Sequence, residues 1–384
     1  MTDTDTNRPN DELGRYLLDR GDMTSDWAVP FAAVPRAAFL PERMWVWDME
    51  TQETELHDRR ADLAAWTRAA HFDAPIVTQW DDGRHTEATA GRLATSSASM
   101  PSVVLSMLRD LDVVDGARVL EIGTGTGWNA GLLCARLGDA DVVTVEVDAQ
   151  VAAAARTALG RAGWRPEVIC GDGAAGSRDC APYDRVIATV GVRRVPYAWV
   201  EQTRPGGVVL APWGTHYSNQ EALVRLTVGE DGTASGPFLR PVEFMTLRGQ
   251  RLDWERFSGH VPDHYESIPA VRGAHATLGE LAGLAQRFAC GLRMPRCAQV
   301  VNGHRVWLFD MDSTSWALAE FPEEDAPLVR QSGSRRLWDE VLGVLDWWER
   351  EGSPEPHDFG LTVTPGGQSA WLRDPAETLS PTMT

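Results

Sequence analysis

The chain contains 384 residues, of which 43% are hydrophobic, and it carries a formal net charge of −19 at pH 7. This length suffices for two domains with buried cores, or for one domain with a long extension. So acidic a composition argues against binding nucleic acid through the phosphate backbone, which needs clustered basic side chains. The first ten residues are polar and no stretch approaches 18 consecutive apolar residues, so neither a signal peptide nor a membrane span is predicted.

The five cysteines are odd in number and include no C-x-x-C pair. This spacing favours neither a disulfide framework nor a zinc site, and no metal ligand is predicted. Cys134 and Cys170 lie in apolar patterns and are expected to be buried as small hydrophobic side chains. These features predict a protein of the reducing cytoplasm.

The N-terminal third contains several predicted elements before the first strong motif. In chain order these are helices over 11–18 and 26–34, a strand over 75–80, a turn over 81–83 and a helix over 101–111. The charged segment 42–72 is predicted to be helical and loop-like, and partly an insertion. Its Trp45, Trp47 and Trp66 either pack in a core or line a groove that holds a peptide.

The most informative feature is a glycine turn between a strand and a helix. The apolar run 118–122 is typical of a buried parallel strand. Gly123, Gly125 and Gly127 follow it at every second position, and helical spacing begins at Asn129. Glycines let a ligand approach the backbone closely, and the helix start offers free N–H groups. The spacing is G-x-G-x-G, which is neither the dinucleotide motif nor a P-loop.

Acidic residues stand at the ends of the next two predicted strands. Glu146 ends the run 142–148, about 20 residues after the turn, where a carboxylate can accept both ribose hydroxyls. Asp172 and Gly173 follow the strand at 168–170, where an adenine can bind. Together these features fit a nucleoside cofactor without a pyrophosphate, such as S-adenosylmethionine. The alternative is a tight strand–helix turn that binds no ligand. The predicted cofactor residues are Glu121, Gly123, Thr124, Gly125, Gly127, Asn129, Glu146, Val147, Asp172, Gly173 and Thr189.

Short apolar strands and helices continue to alternate along the chain. They are strands over 183–191 and 208–214, a helix over 195–202, a turn over 204–207 and further strands over 222–228 and 238–247. This alternation predicts an α/β fold, a doubly wound parallel sheet of the Rossmann-like type. Beyond residue 250 the pattern changes to an amphipathic helix over 279–290, hairpins at 306–319 and 359–372, and a helix over 337–349.

Several short motifs outside the glycine turn are distinctive. They are V-P-R-A-A-F-L-P over 34–41, S-M-P over 99–101, T-V-E-V-D over 144–148, G-D-G-A-A-G over 171–176, R-P-G-G over 204–207 and V-E-F-M-T-L over 242–247. With these motifs the chain resembles the protein L-isoaspartate O-methyltransferase family over roughly residues 10–250. The resemblance implies an enzyme that transfers a methyl group from S-adenosylmethionine to a peptide carboxylate.

Two departures from the family pattern bear on the substrate. The family usually carries Gly-Gln-Thr-Ile-Ser where this chain has Thr95-Ser96-Ser97-Ala98-Ser99, and about 130 residues follow the family's usual end. Both features resemble actinobacterial members encoded with ribosomal peptide maturation systems (lanthipeptides or graspetides). Those members methylate an Asp of a precursor peptide, and the ester then closes to an aspartimide.

The resemblance also implies an organisation into three segments. We expect an N-terminal helical region with the insertion over 1–94, a Rossmann-like methyltransferase core over 95–250, and an α+β extension over 251–384 that recognises the substrate. The protein is expected to be a monomer that binds a peptide or protein bearing Asp or isoaspartate, and neither nucleic acid nor a membrane.

Ser99 is the predicted catalytic residue, because its hydroxyl can donate to one carboxylate oxygen and leave the other free to attack. An alternative role for Ser99 is to cap the helix that begins at Pro101. Ser97, His216 and Tyr217 are predicted to contact the substrate, the last two from the loop after a strand.

Three functions remain open at this point. They are an Asp methyltransferase of peptide tailoring, an isoaspartyl repair methyltransferase that accepts unrelated sequences, and a non-catalytic binding module. The intact glycine turn, Glu146 and Ser99 argue against the third function.

Overall fold

The protein is described by a computed structural model over residues 8–273, 277–322 and 326–380. The chain forms two compact units. The first comprises Met1–Val190, Pro196–Leu210 and Thr227–Gly232, and the second comprises Gly191–Val195, Ala211–Leu226 and Thr233–Thr384. Among the described residues, no helix combines the length and the apolar character needed to cross a membrane.

The first unit contains two sheets and their flanking helices. Its helices are α1 (Arg8–Asp19), α2 (Ala28–Ala33), α3 (Leu63–Ala70), α4 (Pro101–Leu111), α5 (Trp128–Leu137), α6 (Ala149–Arg161) and α7 (Tyr197–Glu201). Its strands are β1 (Arg43–Trp47), β2 (Thr54–Asp58), β3 (Ile76–Trp80), β4 (Ala94–Ala98), β5 (Val119–Ile122), β6 (Val142–Glu146), β7 (Glu167–Cys170), β8 (Tyr183–Ala188) and the first part of β9 (Thr203–Gly214).

The larger sheet of the first unit is parallel, with strand order β7-β6-β5-β8-β9. The strand order reverses between β5 and β8, and ligands of such sheets bind at the carboxyl ends of the strands at this point. All four residues of β5 are buried, as expected for a strand covered on both faces. The predicted Rossmann-like α/β fold is therefore confirmed, and the glycine turn lies at the reversal.

The smaller sheet is antiparallel, with strand order β2-β1-β3-β4. In β4, Ser96 and Ala98 are buried whereas Thr95 and Ser97 are partly accessible. Because side chains alternate between the two faces of a strand, Thr95, Ser97 and the following Ser99 share the more accessible face.

A buried arginine, Arg36, fixes the end of β4. Its guanidinium donates to the carbonyl oxygens of Ala98 (2.8 Å) and Ser99 (2.9 Å), and also to those of Phe72 and Ala74. The Arg36 Cζ atom lies 5.6 Å from the ring centroid of Trp128, the first residue of α5. Burial lowers the pKa of Arg36 to about 9, so the side chain is still a cation at neutral pH.

Within its described residues, the second unit contains hairpins and three helices. Its strands are the end of β9, most of β10 (Glu221–Val228), β11 (Ala234–Val242), β12 (Val271–Arg272), β13 (Cys297–Asn302), β14 (Arg305–Asp310), β15 (Trp316–Glu320), β16 (Leu328–Ser332), β17 (Phe359–Thr364) and β18 (Gly367–Leu372), and its helices are α8 (Leu278–Ala282), α9 (Leu284–Arg293) and α10 (Leu337–Arg350). One antiparallel sheet has the order β12-β16-β15-β14-β13, and β11 pairs with β17, which pairs with β18. Both predicted hairpins and the predicted helix near 337–349 are confirmed.

The prediction for segment 42–72 was wrong, because the segment forms β1 and β2 before the short helix α3. Of the two alternatives for its tryptophans, packing in a core holds for Trp45 and Trp66, whereas Trp47 is partly accessible. Trp66 is buried with Met44 and Ile76, and Trp45 is buried edge-on against Trp80 at 6.1 Å. The many charged residues of this segment obscured the apolar pattern by which its strands could have been predicted.

Other predicted boundaries also changed. The predicted turn at 204–207 lies within β9, where the pairing with β8 shifts register. The predicted helix 279–290 is divided into α8 and α9 at Gly283, and the strand predicted to reach Leu247 ends at Val242. Cys134 is buried as predicted, but Cys170 is exposed because it ends the edge strand β7. The predicted segment limits at 94 and 250 remain a prediction.

A buried polar group lies beneath the glycine turn. The carboxylate of Glu121 in β5 has no exposed surface, and it accepts hydrogen bonds from Asn129 Nδ2 (2.7 Å) and Thr144 Oγ1 (2.5 Å). These bonds join β5 to α5 and β6. Burial raises the pKa of Glu121 to about 7, although the two hydrogen bonds oppose the rise.

The raised pKa of Glu121 makes stability depend on pH. The unfolded chain releases this proton near pH 4.5, the ordinary pKa of the group, whereas the folded chain keeps it up to about pH 7. The contribution is therefore fully present below pH 4.5 and is lost as pH rises through 7. We expect the free energy of unfolding of the wild type to fall relative to that of Glu121→Gln by up to about 1.4 kcal/mol per pH unit in this window. Urea titrations of both proteins measure the difference, with Glu53→Gln at an exposed position as the control. Parallel curves for wild type and Glu121→Gln would contradict the assignment.

Candidate functional site

The glycine turn after β5 adopts a backbone that side chains would disturb. Gly123 has a φ of +96°, and a Cβ there would lie 2.8 Å from Val190 and 2.9 Å from Thr189. Gly125 has a φ of +54°, and a Cβ there would lie 3.3 Å from the carbonyl oxygen of Ser97. The turn therefore favours glycine for its left-handed conformation, and the tight approach to β4 at Gly125 adds to this preference.

Glu146, at the end of β6, lies directly beside this turn. Its Oε2 accepts from the Gly125 N–H and its Oε1 from the Asp148 N–H, both at 3.0 Å. Asp148 in turn caps α6 by accepting from the N–H groups of Gln150 and Val151. The carboxylate predicted to bind ribose is thus oriented by backbone donors next to the glycines.

The other predicted cofactor residues line neighbouring strand ends. Thr189 follows β8 and donates to the carbonyl oxygen of Gly123 at 2.5 Å. Asp172 follows β7 and is exposed; it accepts from the Ala174 N–H, and Gly173 accepts from the indole of Trp199. Val147 follows Glu146 and is 41% exposed, so its side chain is accessible at the same edge.

Three of the predicted cofactor residues make their contacts inside the protein. Glu121, Thr124 and Asn129 are buried, and Thr124 Oγ1 lies 2.7 Å from Thr144 Oγ1. Their side chains support the turn from below, and the contacts that the structure gives them are with one another and with Thr144. Direct cofactor contact by these three side chains stays a prediction.

Ser97 lies in β4 and Ser99 directly follows it, and the carbonyl oxygen of Ser97 lies close to Gly125 of the turn. Within the described residues, neither hydroxyl has a hydrogen-bond partner. The capping role considered for Ser99 is filled by another residue, because Asp73 Oδ1 accepts from the Ser102 N–H at 2.8 Å and the cap residue of α4 is Met100. The Ser99 hydroxyl is therefore free to bind a ligand.

His216 and Tyr217 belong to the second unit, and only one of them is accessible. Tyr217 is 1% exposed and its hydroxyl accepts from Gln299 Nε2 at 3.2 Å, so its side chain has almost no accessible surface for the substrate contact that was predicted. His216 is half-buried. Burial, assisted by Arg193, Arg296 and Arg256, lowers the pKa of His216 to about 4. The imidazole is thus neutral at physiological pH.

Three residues that shape the site were not predicted from the sequence. Arg36 holds the carbonyl groups at the end of β4, Asp73 caps α4, and Gln79 donates to Asp148 across the gap between β3 and α6. Each acts over more than 25 positions in the sequence. The motif V-P-R-A-A-F contained a signal for Arg36, whereas nothing local marked the other two.

The arrangement fits a nucleoside that carries a small charged group. The glycines of the turn leave space for a ligand next to the backbone. Glu146 places its carboxylate oxygens beside Gly125, and Thr189, after the neighbouring strand, bonds to Gly123. No lysine stands in the turn to pair with a polyphosphate. These are the properties expected of a site for S-adenosylmethionine.

Comparison with known proteins agrees with this geometry. Residues 63–252 match the family model of protein-L-isoaspartate(D-aspartate) O-methyltransferase. The protein-L-isoaspartate O-methyltransferase of Thermococcus onnurineus is 40% identical over 154 residues, which are 40% of this chain and 69% of that protein. The protein of the same name from Pyrococcus horikoshii is 37% identical over 158 residues, 41% of this chain and 71% of that protein.

A solved protein-L-isoaspartate O-methyltransferase shares the fold with a TM-score of 0.57 and 22% identity, and the match covers 95% of this chain and 100% of that one. The shared fold therefore includes most of the residues beyond 250. The sequence relatives carry the assignment of the family: the chain belongs to the protein-L-isoaspartate(D-aspartate) O-methyltransferase family and is an S-adenosylmethionine-dependent carboxyl O-methyltransferase.

Proposed function

We propose that the enzyme methylates the side-chain carboxylate of an Asp in one particular peptide, and that the ester then closes to a succinimide (aspartimide). The acceptor would be a ribosomally made precursor peptide. The observation that carries this proposal is the segment Thr95–Ser99, which departs from the family pattern where it lies against the glycine turn. A changed side-chain set at this position argues for a changed acceptor.

The chemistry places modest demands on the protein. S-adenosylmethionine supplies an electrophilic methyl group when it is bound. An Asp side chain has a reference pKa near 3.9 and is already an anion at neutral pH, so no general base is needed. The protein's task is to hold one carboxylate oxygen in line with the methyl group, and positioning of this kind lowers a barrier by several kcal/mol.

Ser99 is suited to this positioning. Its backbone carbonyl is held by Arg36 at 2.9 Å, and the cap of α4 comes from Asp73 rather than from Ser99. The hydroxyl can donate to one oxygen of the acceptor carboxylate, while the other oxygen takes the methyl group. Ser97, two residues earlier on the same face of β4, offers a second hydroxyl.

Closure of the ring needs no further group from the enzyme. Methylation converts an anionic carboxylate into a neutral ester with a good leaving group. The backbone nitrogen of the next peptide residue attacks the ester carbonyl and loses its proton, and methanol departs. The product is a five-membered succinimide within the peptide backbone.

Repair of isoaspartyl residues is the second candidate, and the sequence relatives favour it. The matched proteins from Thermococcus and Pyrococcus carry the name protein-L-isoaspartate O-methyltransferase. The long extension does not separate the candidates, because a solved protein of that name shares the fold over 95% of this chain. Methyl esters of Asp and isoaspartate close to the same succinimide, so the two functions differ in the acceptor and not in the chemistry.

Ser99→Ala is expected to leave binding of S-adenosylhomocysteine near that of the wild type and to slow methyl transfer in a single turnover. A hydrogen bond to a charged group contributes about 1.5–3 kcal/mol, which corresponds to a loss of about 10- to 150-fold in rate. Ser96→Ala, on the buried face of the same strand, is the matched control and should retain nearly the full rate. A Ser99→Ala rate within about twofold of wild type, a barrier change near 0.4 kcal/mol, would remove Ser99 from the mechanism.

The acceptor is tested with pairs of peptides that have the same sequence and carry either Asp or isoaspartate at one position. One pair is taken from short Asp-containing peptides encoded beside this gene, and the other has an unrelated sequence. Mass spectrometry should detect one methylation of the neighbouring Asp peptide, followed by loss of methanol. The unrelated isoaspartyl peptide should show little turnover.

The opposite preference would establish repair as the function. In that case both isoaspartyl peptides would be methylated, whatever their sequence, and both Asp peptides would remain unchanged.

A further inference from the structure

One amide side chain links the two halves of the site. Gln79 Nε2 donates to Asp148 Oδ2 at 3.3 Å, and Gln79 Oε1 accepts from Thr95 Oγ1 at 2.9 Å. Thr95 lies on β4, two residues before Ser97. Asp148 lies two residues after Glu146, at the start of α6. One end of the Gln79 amide is therefore bonded near the serines of β4, and the other end is bonded near Glu146.

These bonds complete a ring around the end of the glycine turn. Hydrogen bonds run from Gly125 to Glu146, Asp148, Gln79 and Thr95. The chain then leads from Thr95 to Ser97, whose carbonyl oxygen packs against Gly125 without a hydrogen bond. The strand that carries the serines is thus joined to the strand end that carries Glu146 by two routes. One route is the packing of Ser97 against the turn, and the other is Gln79.

The orientation of the Gln79 amide is fixed by chemistry. Its NH₂ group faces a carboxylate, and its oxygen faces a hydroxyl that itself accepts from the Asp82 N–H at 3.0 Å. A flipped amide would set its oxygen against the Asp148 carboxylate, two acceptors with no proton between them. Gln79 can therefore transmit the position of Asp148 to Thr95 in only one arrangement.

We propose that Gln79 is a positioning residue that couples the cofactor site to the acceptor strand, so that a nucleoside held by Glu146 also orders β4 around Ser97 and Ser99. The proposal rests on the proposed role of these serines in holding the acceptor. Glu146 holds the Asp148 N–H, Asp148 holds Gln79, and Gln79 holds Thr95. Coupling between two sites is reciprocal, so a bound acceptor should also tighten binding of the nucleoside.

Amide hydrogen exchange with S-adenosylhomocysteine as the probe tests this coupling without an acceptor. In the wild type, the probe should slow exchange over residues 94–99 by about fivefold or more. Gln79→Glu sets a carboxylate against Asp148, and Gln79→Met removes both hydrogen bonds of the side chain. Each single variant should bind the probe but show protection of about twofold or less over 94–99.

The double variant, Gln79→Glu with Asp148→Asn, reverses the direction of the hydrogen bond and should restore most of the protection. A purely structural defect would not be repaired by adding a second substitution. Gln52→Glu, in the loop between β1 and β2, introduces the same charge at an exposed position and should behave as the wild type. Thr95→Val removes the hydrogen bond at the other end of the link and should show the same low protection as the single variants. It tests the link independently if one of those variants folds poorly.

Equal protection in wild type and Gln79→Glu would overturn the proposal, as would a double variant no better than the singles. The proposed function is tested separately by the peptide pairs. If neither Asp peptide is methylated but the exchange pattern follows the variants, the acceptor assignment fails and the coupling stands.

Discussion

The site depends on one buried cation, Arg36. Burying a guanidinium costs several kcal/mol unless its donors are satisfied. Here the two terminal nitrogens donate to four backbone carbonyls, including those of Ala98 and Ser99, and the ring of Trp128 lies against the group, whereas the buried Nε has no hydrogen-bond partner among the described residues. Because Trp128 directly follows the glycine turn, one side chain fixes both that turn and the end of the serine strand. The buried guanidinium of Arg36 thus lies where the glycine turn and the end of β4 approach each other.

The close approach of these loops explains the residues around them. A Cβ at Gly125 would approach the Ser97 carbonyl, so the tight approach to β4 adds to the preference for glycine that the backbone conformation creates. Asp73 supplies the cap of α4, so the Ser99 hydroxyl is not needed to cap that helix. Among the described residues, the site therefore combines a backbone held by buried hydrogen bonds with two hydroxyl groups that have no partner, a suitable arrangement for a reaction that depends on positioning.

The features that could be predicted from the sequence are those that local sequence patterns indicate. The glycine spacing, the apolar run before it and Glu146 at the next strand end predicted the parallel sheet and its ligand edge. The prediction for the charged segment 42–72 failed, because β1 buries only Met44 and Trp45 and β2 has no fully buried side chain, so neither strand shows a clear apolar pattern. The substrate contact predicted for Tyr217 failed for a different reason, because a position after a strand does not show whether other elements pack over the side chain.

Long-range contacts were beyond prediction. The Asp73 cap, the Gln79 link and the carbonyl contacts of Arg36 join residues 29, 69 and up to 63 positions apart. No periodicity marks such pairs, since each depends on how strands and helices meet in the folded chain. The free Ser99 hydroxyl was equally hidden, because only the structure could show that another residue caps α4.

The central claim is that the glycine turn and the serine strand face one shared ligand. A crystal structure with S-adenosylhomocysteine tests this most directly. We expect the ribose hydroxyls on the carboxylate of Glu146, and the sulfur atom facing the side of β4 that carries Ser97 and Ser99. A nucleoside bound away from Glu146, or a sulfur atom directed away from both serines, would contradict the account.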